Sequence, residues 1–363
     1  MSGTSMDAID AALVKYDSGQ TTLVECHEQP ISPALREQIH QLSHPGDNEI
    51  ERLGRLDRTL GHAFAEATLA LLRKAHVAPD QVRAIGSHGQ TVRHCPPSAC
   101  GNNREAFTLQ IGDPNTIAEV TGIATIADFR RRDVAAGGEG APLAPAFHAA
   151  AFNQPPTVRA IVNIGGIANI TLLRDQSAIG FDSGPGNTLL DSWIRQHQGV
   201  SFDADGGWAA EGSVNAPLLE ALLQHPYLTR PAPKSTGKES FNLSWLQQQL
   251  EIVPGVPPGD VQATLAEFTA VSIYRALLSV GSDIEQVFVC GGGAANSDLM
   301  RRLFQHLEPV YLGTTRELGC DPAWVEAAAF AWLAGRHLDQ QSGNLPAVTG
   351  ADGERILGAL YPA

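Results

Sequence analysis

The sequence predicts an α/β protein that consists of two similar lobes. Glycine is abundant, at 36 of 363 residues, and the glycine clusters stand where short apolar runs end, as in the loops that follow the strands of α/β proteins. Each half of the chain begins with a predicted β-hairpin and then alternates strands with helices. The length also suits two domains. We therefore expect two lobes that face each other across a cleft.

Composition and charge limit the class of protein. Hydrophobic residues make up 43% of the chain and charged residues 18%, so sizeable cores are expected. The balance of 25 basic and 39 acidic side chains gives a net charge of −14, which argues against nucleic acid or an anionic membrane as a partner. No apolar run approaches the roughly 20 residues that a bilayer requires, and no secretory signal is visible, so we expect a soluble cytoplasmic protein. We expect its five cysteines to be reduced, although Cys95 and Cys100 are close enough to pair.

The apolar patterns predict the individual elements. In the first half we expect strands over residues 8–16, 21–28, 82–86 and 122–127, and a long helix over 50–76. In the second half we expect strands over 158–164, 170–174, 178–181 and 286–290, and helices from Thr188, over 262–278 and over 323–338. The last helix is apolar around its circumference, which predicts burial.

Three glycine-rich loops suggest nucleotide binding. The turn over residues 3–7 offers backbone N–H groups and hydroxyls to phosphate oxygens, and an adjacent carboxylate can orient a hydrated Mg²⁺. The loop over 163–169 has two glycines that let a ligand approach the backbone, and the glycines at 291–293 can lie against a base and ribose. Each loop alone also fits an ordinary polar turn. No dinucleotide or P-loop fingerprint is present, so neither of those folds is favoured.

Two acidic residues are candidates for a role in catalysis or ligand binding. Asp182 follows a predicted strand and precedes a Gly-Pro-Gly turn and a helix, where the helix dipole and nearby amides would keep it ionised as a general base. Turn stabilisation or helix capping is the alternative. Glu326 lies on an apolar helix and should face a partner or a cavity, because an unpaired buried carboxylate is too costly. A structural salt bridge is the alternative there.

A possible anion site follows the strand over 122–127. A glycine-rich loop runs into a predicted helix whose first residues include Pro142, and a helix N-terminus suits an anion. Arg130 can pair with a carboxylate in bidentate fashion, although the three arginines at 130–132 also fit a solvated patch. His88, His94 and His148 lack metal-ligand spacing, and we predict no zinc site.

Several stretches of the chain resemble the anhydro-N-acetylmuramic acid kinase family. They cover nearly the whole chain in the expected order: GTSMD at 3–7, SHGQT at 87–91, NIGGIAN at 163–169, FDSGPGN at 181–187, PKSTGKE at 233–239 and LPAVTGA at 345–351. The resemblance implies the two-lobed, actin-like ATPase (ribonuclease H-like) fold of actin, sugar kinases and the Hsp70 ATPase domain, with the nucleotide in the interlobe cleft. We place the lobes at residues 1–129 with 344–363, and at 130–343.

The family converts 1,6-anhydro-N-acetylmuramic acid, ATP and water into N-acetylmuramic acid 6-phosphate and ADP during peptidoglycan recycling. The resemblance therefore implies ATP and Mg²⁺ as cofactors, an amino-sugar substrate and a homodimer. It implies that Asp182 is the catalytic base. We expect the sugar to bind near Glu326, His88, Gln90, Arg130 and Gly140, with its lactyl carboxylate on Arg130 or at residues 141–142. The predicted nucleotide-binding residues are Gly3, Thr4, Ser5, Met6, Asp7, Ala8, Ile9, Asp10, Asn163, Gly165, Gly166, Gly291, Gly292 and Gly293.

The chain departs from the family at its first residues. The family enters the Gly-Thr-Ser turn from a β-strand, whereas Met1 stands almost on the turn, and Ala8 stands where the family usually has glycine. Without that strand, of about six residues, its neighbours would expose unpaired backbone groups. Two alternative functions are also considered. One is a sugar kinase in which Asp182 deprotonates a hydroxyl directly, with no water consumed; the other is a nucleotide-binding regulator that binds ATP without turnover.

Overall fold

The chain folds into two compact units. The computed structural model describes residues 1–3, 6–17, 20–232 and 234–363. The first unit consists of Met1–Ala151 with Trp324–Ala363, and the second of Phe152–Ala323. These boundaries differ from the predicted ones at 129/130 and 343/344. As a result Arg130 and Glu326, which the predicted boundaries placed in the second lobe, both belong to the first unit.

The strands and helices are as follows, in chain order. The strands are β1 (Ala8–Asp17), β2 (Gln20–Pro30), β3 (Ile85–Gly86), β4 (Gln90–Cys95), β5 (Phe107–Ile111), β6 (Thr125–Ala127), β7 (Arg159–Ile164), β8 (Ile167–Arg174), β9 (Ser177–Pro185), β10 (Gln286–Cys290), β11 (Tyr311–Thr314) and β12 (Ala359–Tyr361). The helices are α1 (Pro33–Leu42), α2 (Glu49–Ala75), α3 (Pro97–Cys100), α4 (Pro114–Thr121), α5 (Phe129–Val134), α6 (Ala144–Phe152), α7 (Thr188–Gln198), α8 (Gly207–Glu211), α9 (Ala216–Leu223), α10 (Leu243–Ile252), α11 (Pro258–Val280), α12 (Ser297–Leu307), α13 (Val325–Leu338) and α14 (Pro346–Thr349).

Most predicted elements are present, and the differences have local causes. Of the strand predicted over 82–86, only β3 at Ile85–Gly86 is observed, and a 3-10 helix at Pro79–Gln81 precedes the predicted range. The strand predicted over 178–181 extends to Pro185, so Asp182 lies within β9 rather than after it. The helix predicted to include Pro142 begins at Ala144 instead.

The second unit contains one five-stranded sheet in the order β11-β10-β7-β8-β9. The strands β7, β8 and β9 form an antiparallel meander, whereas β10 runs parallel to β7 and β11 runs parallel to β10. This is the strand order of the ribonuclease H-like fold, and it confirms the predicted fold class. The strands β7 and β10 are buried almost throughout, which is typical of parallel pairs covered by helices.

The helix α11 belongs to the core of the second unit. By length and composition alone it is long and apolar enough to cross a membrane, with a mean hydropathy of 1.2 over 18 residues. However, 67% of that stretch is buried inside the protein, as in the core helix of a globular domain.

The first unit has no such continuous sheet among its described residues. The hairpin β1-β2 forms one sheet, β12-β6-β3 forms another and β4-β5 a third. Residues of β1 and β3 line a cavity of about 440 Å³, together with residues of α2, α13 and the segment between α2 and β3. The helix α2 begins and ends where its apolar stripe predicts, and buries Leu56, Leu60, Phe64 and Leu71.

The expectation of five reduced cysteines is wrong for one pair. Cys95 at the end of β4 and Cys100 at the end of α3 form a disulfide, with Cα atoms 5.7 Å apart. The two prolines between them start the short helix α3, which returns the chain to within the usual disulfide span.

We predict that Gly86→Ala destabilises the first unit. A methyl group on Gly86 would lie 2.1 Å from the carbonyl oxygen of Phe330 in α13, so the strand and the helix would have to separate. Overpacking of this kind costs about 1–3 kcal/mol, which urea unfolding of the purified variant measures.

Gly54→Ala is the matched control for that measurement. Gly54 lies in α2 of the same unit, and a methyl group there would meet no atom within 4 Å. The helix should gain about 0.5–1 kcal/mol from this change. Equal effects of the two substitutions would contradict the close packing of β3 against α13.

Candidate active site

Asp182 is held from both its backbone and its side chain. The Asp182 N–H donates to the Lys234 carbonyl at 3.0 Å, and the Tyr227 hydroxyl donates to the Asp182 carbonyl at 2.8 Å. The side-chain oxygen Oδ2 accepts from the Ser235 hydroxyl and from the Thr236 N–H, both at 2.9 Å. The strand β9 and the segment after Pro233 therefore fix the position of this carboxylate.

The electrostatics of Asp182 differ from the sequence-based expectation. Desolvation by burial raises the pKa of Asp182, and the hydrogen bonds from Thr236 and Ser235 oppose that rise. The expectation that the surroundings of Asp182 favour the ionised form therefore omitted the largest effect on its pKa, which is desolvation. The cause is its place inside β9, several residues before the start of α7 at Thr188. A carboxylate with a raised pKa holds a proton more readily than an exposed one, which suits a general base.

Sequence reasoning assigned no role to the segment that supports Asp182. Lys234 anchors it by donating from Nζ to the carbonyls of Tyr227 and Leu228, at 3.3 and 3.0 Å. Ser235 and Thr236 then reach the carboxylate. The only available signal was the pair of adjacent hydroxyl residues within the family stretch at 233–239, of which Pro233 lies outside the described residues.

The predicted nucleotide loops of the second unit come together at the carboxyl ends of β7 and β10. A methyl group on Gly291 would lie 2.3 Å from Oδ1 of Asn163, and one on Gly293 would lie 2.4 Å from Cγ2 of Ile164. Gly291 has a φ of 78°. Only glycine therefore allows this loop to approach the end of β7 so closely. The strands β7 and β10 are parallel neighbours whose onward connections leave to opposite sides, which is where open α/β sheets bind ligands.

The turn at Gly165 and Gly166 also contacts the start of α7. The Gly165 carbonyl accepts from the Asn187 N–H at 2.8 Å, and the Gly166 carbonyl accepts from the Thr188 N–H at 3.0 Å. Gly292 lies beside the same helix start, near Nδ2 of Asn187. Sequence reasoning missed Asn187, whose Nδ2 donates to the Ile164 carbonyl at 3.2 Å. The third loop ends at Asn296, whose side chain caps α12.

The first predicted phosphate loop lies in the first unit, and Thr4 and Ser5 fall outside the described residues. Around them, the Met6 N–H donates to the Gly3 carbonyl at 3.2 Å. Asp7 pairs with Arg36 at 3.0 Å. The remaining predicted residues, Ala8, Ile9 and Asp10, begin β1.

Within that strand the predicted residues differ in what they can offer a ligand. The Ile9 side chain is buried in the core of the first unit, so only its backbone remains available. Burial raises the pKa of the Asp10 carboxyl to about 6, and the nearby ammonium group of Met1 opposes that rise.

Three of the predicted sugar-binding residues, His88, Arg130 and Gly140, form one hydrogen-bonded group around Arg130. Its Nε donates to Nε2 of His88 at 3.0 Å, and its Nη1 donates to the Gly140 carbonyl at 2.8 Å. The other ring nitrogen of His88, Nδ1, lies 3.0 Å from the Gly89 carbonyl. His88 is therefore a neutral imidazole with its proton on Nδ1, and burial followed by the charge of Arg130 holds its pKa well below the usual range.

Glu326 lies in the first turn of α13 and interacts electrostatically with Arg130. Its side chain remains open to solvent, but the protein around it is dense enough that desolvation raises its pKa, while the charge of Arg130 lowers it. Arg130 is thus a charged partner for Glu326, as expected for a carboxylate on an apolar helix. Gln90, two residues after His88, is also buried. Its Nε2 donates to the Thr91 carbonyl, and its Oε1 has no hydrogen-bond partner among the described residues.

Asp133 supports this group and gave no signal in the sequence. It is fully buried, and its carboxylate accepts from the Gly140 N–H at 2.9 Å and from the side chains of Asn344 and Thr349, each at 2.8 Å. Asn344 and Thr349 are 211 and 216 residues away in sequence. Asp133 therefore fixes Gly140, which in turn accepts from Arg130. Among the described residues, no group of three or more His, Cys, Asp or Glu side chains is arranged to hold a metal ion.

Comparison with known proteins identifies the family. Residues 1–363 match the sequence model described as "Anhydro-N-acetylmuramic acid kinase". A protein of that name from Shewanella woodyi is 53% identical over 365 residues, which cover 100% of this chain and 97% of the relative. Another from Saccharophagus degradans is 52% identical over 363 residues, which cover 99% of this chain and 97% of the relative.

Solved structures are less similar. Component A of (R)-2-hydroxyglutaryl-CoA dehydratase from Acidaminococcus fermentans matches 88% of this chain and 96% of its own, with 13% identity and a TM-score of 0.44. A likeness this low carries no argument about fold or function. The sequence matches, in contrast, confirm the predicted family and the predicted enzyme class, a kinase. The chain belongs to the anhydro-N-acetylmuramic acid kinase family.

Proposed function

We propose that the chain opens 1,6-anhydro-N-acetylmuramic acid with water and phosphorylates it with ATP, giving N-acetylmuramic acid 6-phosphate and ADP. The substrate's internal bridge joins C1 to O6, so O6 carries no proton to remove. Water therefore attacks C1, the C1–O6 bond breaks, and O6 accepts the γ-phosphoryl group. The proton that water loses passes to a base. The observation that carries the proposal is the partly buried, hydrogen-bonded carboxylate of Asp182 within a chain that matches this family throughout.

Asp182 is the proposed base. Its Oδ2 accepts from Ser235 and Thr236, which leaves Oδ1 to take the proton from water. The two donors fix the orientation of the carboxylate before the substrate arrives, and orientation of this kind lowers the entropic cost of reaction. Burial brings the pKa of Asp182 closer to neutral pH, where a general base works best.

The glycine loops of the second unit are the proposed nucleotide contacts. Gly165, Gly166 and the glycines at 291–293 lie at the ends of β7 and β10, and offer backbone groups without side-chain obstruction. Mg²⁺, when bound with ATP, would neutralise charge on the phosphates. Such ions keep several waters and use one or two carboxylates. Asp10 suits that role better than Asp7, whose carboxylate pairs with Arg36.

The group around Arg130 is the proposed sugar site. Nε and Nη1 of Arg130 are already used by His88 and Gly140, so Nη2 remains to donate to the lactyl carboxylate. Glu326 and Oε1 of Gln90 are acceptors for sugar hydroxyl or amide N–H groups. We also propose, from the family resemblance, that the enzyme is a cytoplasmic homodimer in peptidoglycan recycling.

Asp182→Asn should reduce turnover of the anhydrosugar by about 10²–10⁴-fold. The amide cannot accept the proton from water, and general-base help is typically worth a rate factor of this size. The measurement is ADP release with 1,6-anhydro-N-acetylmuramic acid and MgATP.

Asp175→Asn is the control, because Asp175 is exposed on the turn between β8 and β9, and it should keep full activity. Retention of the rate in Asp182→Asn would remove Asp182 as the base. A wild-type enzyme that phosphorylates only the open sugar, N-acetylmuramic acid, would show instead a kinase that acts directly on a hydroxyl.

The acid limb of the kcat–pH profile should lie above the usual aspartate pKa of about 3.9. The base works only when ionised, so kcat falls as pH falls through the pKa of Asp182, which burial raises. Ser235→Ala removes a hydrogen bond that favours the ionised form, so the limb should move to higher pH.

Ser235→Thr keeps a hydroxyl and should restore the wild-type profile. An unmoved limb in Ser235→Ala, or equal movement in both variants, would contradict the role of this hydrogen bond.

Arg130→Lys should raise KM for the anhydrosugar about tenfold or more, because hydrogen bonds to charged groups contribute about 1.5–3 kcal/mol and lysine lacks the guanidinium fork. KM for ATP should change little. Arg131→Lys is the matched control, since Arg131 is largely exposed and forms an ion pair with Asp128, three residues before it. Equal effects of the two variants on KM would place the sugar elsewhere.

A further inference from the structure

The chain has few lysines, and two of them lie in the segment that supports Asp182. Its lysines are Lys15, Lys74, Lys234 and Lys238. The net charge of the chain is −14, so a ligand as anionic as a nucleoside triphosphate needs positive side chains that are placed locally. Lys234 uses its ammonium group to hold backbone carbonyls of its own unit. Lys238 is therefore the lysine of this segment that can serve a ligand.

The side chain of Lys238 lies against the glycine turn between β7 and β8. Its Cε atom would be 3.3 Å from a methyl group placed on Gly166. The Cβ atom of Thr188, the first residue of α7, would be 3.9 Å from the same methyl group. Because the ammonium nitrogen is bonded to Cε, the positive charge of Lys238 lies beside Gly166 and near the start of α7. The side chain as a whole is exposed, so a ligand can reach it.

The backbone of this turn is arranged to receive an anion. The Gly166 carbonyl accepts from the N–H groups of Gly186 and Thr188, at 2.9 and 3.0 Å, and the Gly165 carbonyl accepts from the Asn187 N–H at 2.8 Å. Both carbonyl oxygens, which would repel a phosphate, are thus turned towards the start of α7. Neither glycine has a side chain, so phosphate oxygens can approach the backbone closely. A cation beside such a turn adds charge to an anion-binding concavity.

The backbone is fixed on both sides of Lys238. Before it, the Thr236 N–H donates to Oδ2 of Asp182 at 2.9 Å. After it, the side chain of Phe241 is completely buried in the core of the second unit. Two residues of chain span at most about 7 Å, so the backbone of Lys238 stays close to the residue that holds the proposed base. A side chain on a fixed backbone also loses less conformational entropy when it binds a ligand.

We propose that the ammonium group of Lys238 donates to the terminal phosphate of ATP. This inference rests on the proposed function, in which the triphosphate lies at the turn of Gly165 and Gly166. The terminal phosphate follows from the reaction: O6 is bonded to C1 until water attacks, so the γ-phosphoryl group lies close to the water that Asp182 activates. An ammonium group has three N–H donors, so a contact with the protein leaves others for phosphate oxygens.

In this role Lys238 forms and breaks no covalent bond. It neutralises charge on the γ-phosphoryl oxygens while the bond to the bridging oxygen of ADP breaks and the bond to O6 forms. A lysine ammonium is a compact charge on a flexible stem, so it can follow the phosphoryl group as that group moves from ADP to O6. The same segment of chain thus holds the base through Thr236 and contacts the transferred group through Lys238.

The test measures binding of MgATP, MgADP and adenosine to the full chain by calorimetry, without sugar so that no phosphoryl transfer to it occurs. Lys238→Gln should weaken MgATP binding about tenfold or more, because hydrogen bonds between charged groups are the strong class. It should weaken MgADP binding much less and leave adenosine binding unchanged. Lys238→Arg keeps the charge and should recover most of the affinity for MgATP. Lys74→Gln is the matched control, since Lys74 lies in α2 and pairs with Glu25.

Several results would overturn the inference. They are an unchanged affinity for MgATP in Lys238→Gln, an equal loss for MgATP and MgADP, an equal loss for MgATP and adenosine, and failure of this exposed variant to fold. The proposed function is tested separately, by turnover of the anhydrosugar in the wild-type chain. A wild-type chain that binds MgATP through Lys238 but does not turn over this sugar would contradict the proposed function and support the contact. A wild-type chain that does not bind MgATP would overturn both.

Discussion

Desolvation of charged groups, balanced by a few hydrogen bonds, is the constraint on which both groups of functional residues depend. At Asp182, burial raises the pKa of the carboxyl, and two donors on Oδ2 oppose that rise. The two effects act on the same carboxyl group, and desolvation is the larger of them. The segment that supplies the two donors is itself held in place. The Tyr227 hydroxyl donates to the backbone of β9, and Lys234 donates to the carbonyls of Tyr227 and Leu228.

The same two effects act on a cation in the first unit. Burial lowers the pKa of the Arg130 guanidinium, and the nearby carboxylates of Glu326 and Asp133 raise it. Burial, and after it the charge of Arg130, lowers the pKa of His88 and keeps it neutral, so that Nε2 remains an acceptor. The charge states of Arg130, His88 and Glu326 therefore depend on one another. Asp133 connects this group to the carboxyl-terminal segment by accepting hydrogen bonds from Asn344 and Thr349.

Much of the fold was predictable from the sequence, whereas the support around the site was not. Strand β10 matches its prediction at both ends because a buried parallel strand is a continuous apolar run bounded by glycine. The end of β9 was missed because its last residues, Asp182 to Pro185, have the composition of a turn but continue the ladder with β8. The donors to Asp182 lie 53 and 54 residues away in sequence, and no local pattern indicates a contact over that separation.

Oxygen labelling tests most directly the central claim that Asp182 activates water for attack at C1. The enzyme would turn over 1,6-anhydro-N-acetylmuramic acid with MgATP in ¹⁸O-water, and the product would be analysed early, against a control for exchange of the C1 hydroxyl with solvent. The account predicts one ¹⁸O at C1 from the first turnover, and none in the phosphoryl group. Label in the phosphoryl group, or a product whose C1 oxygen is unlabelled before exchange, would contradict it.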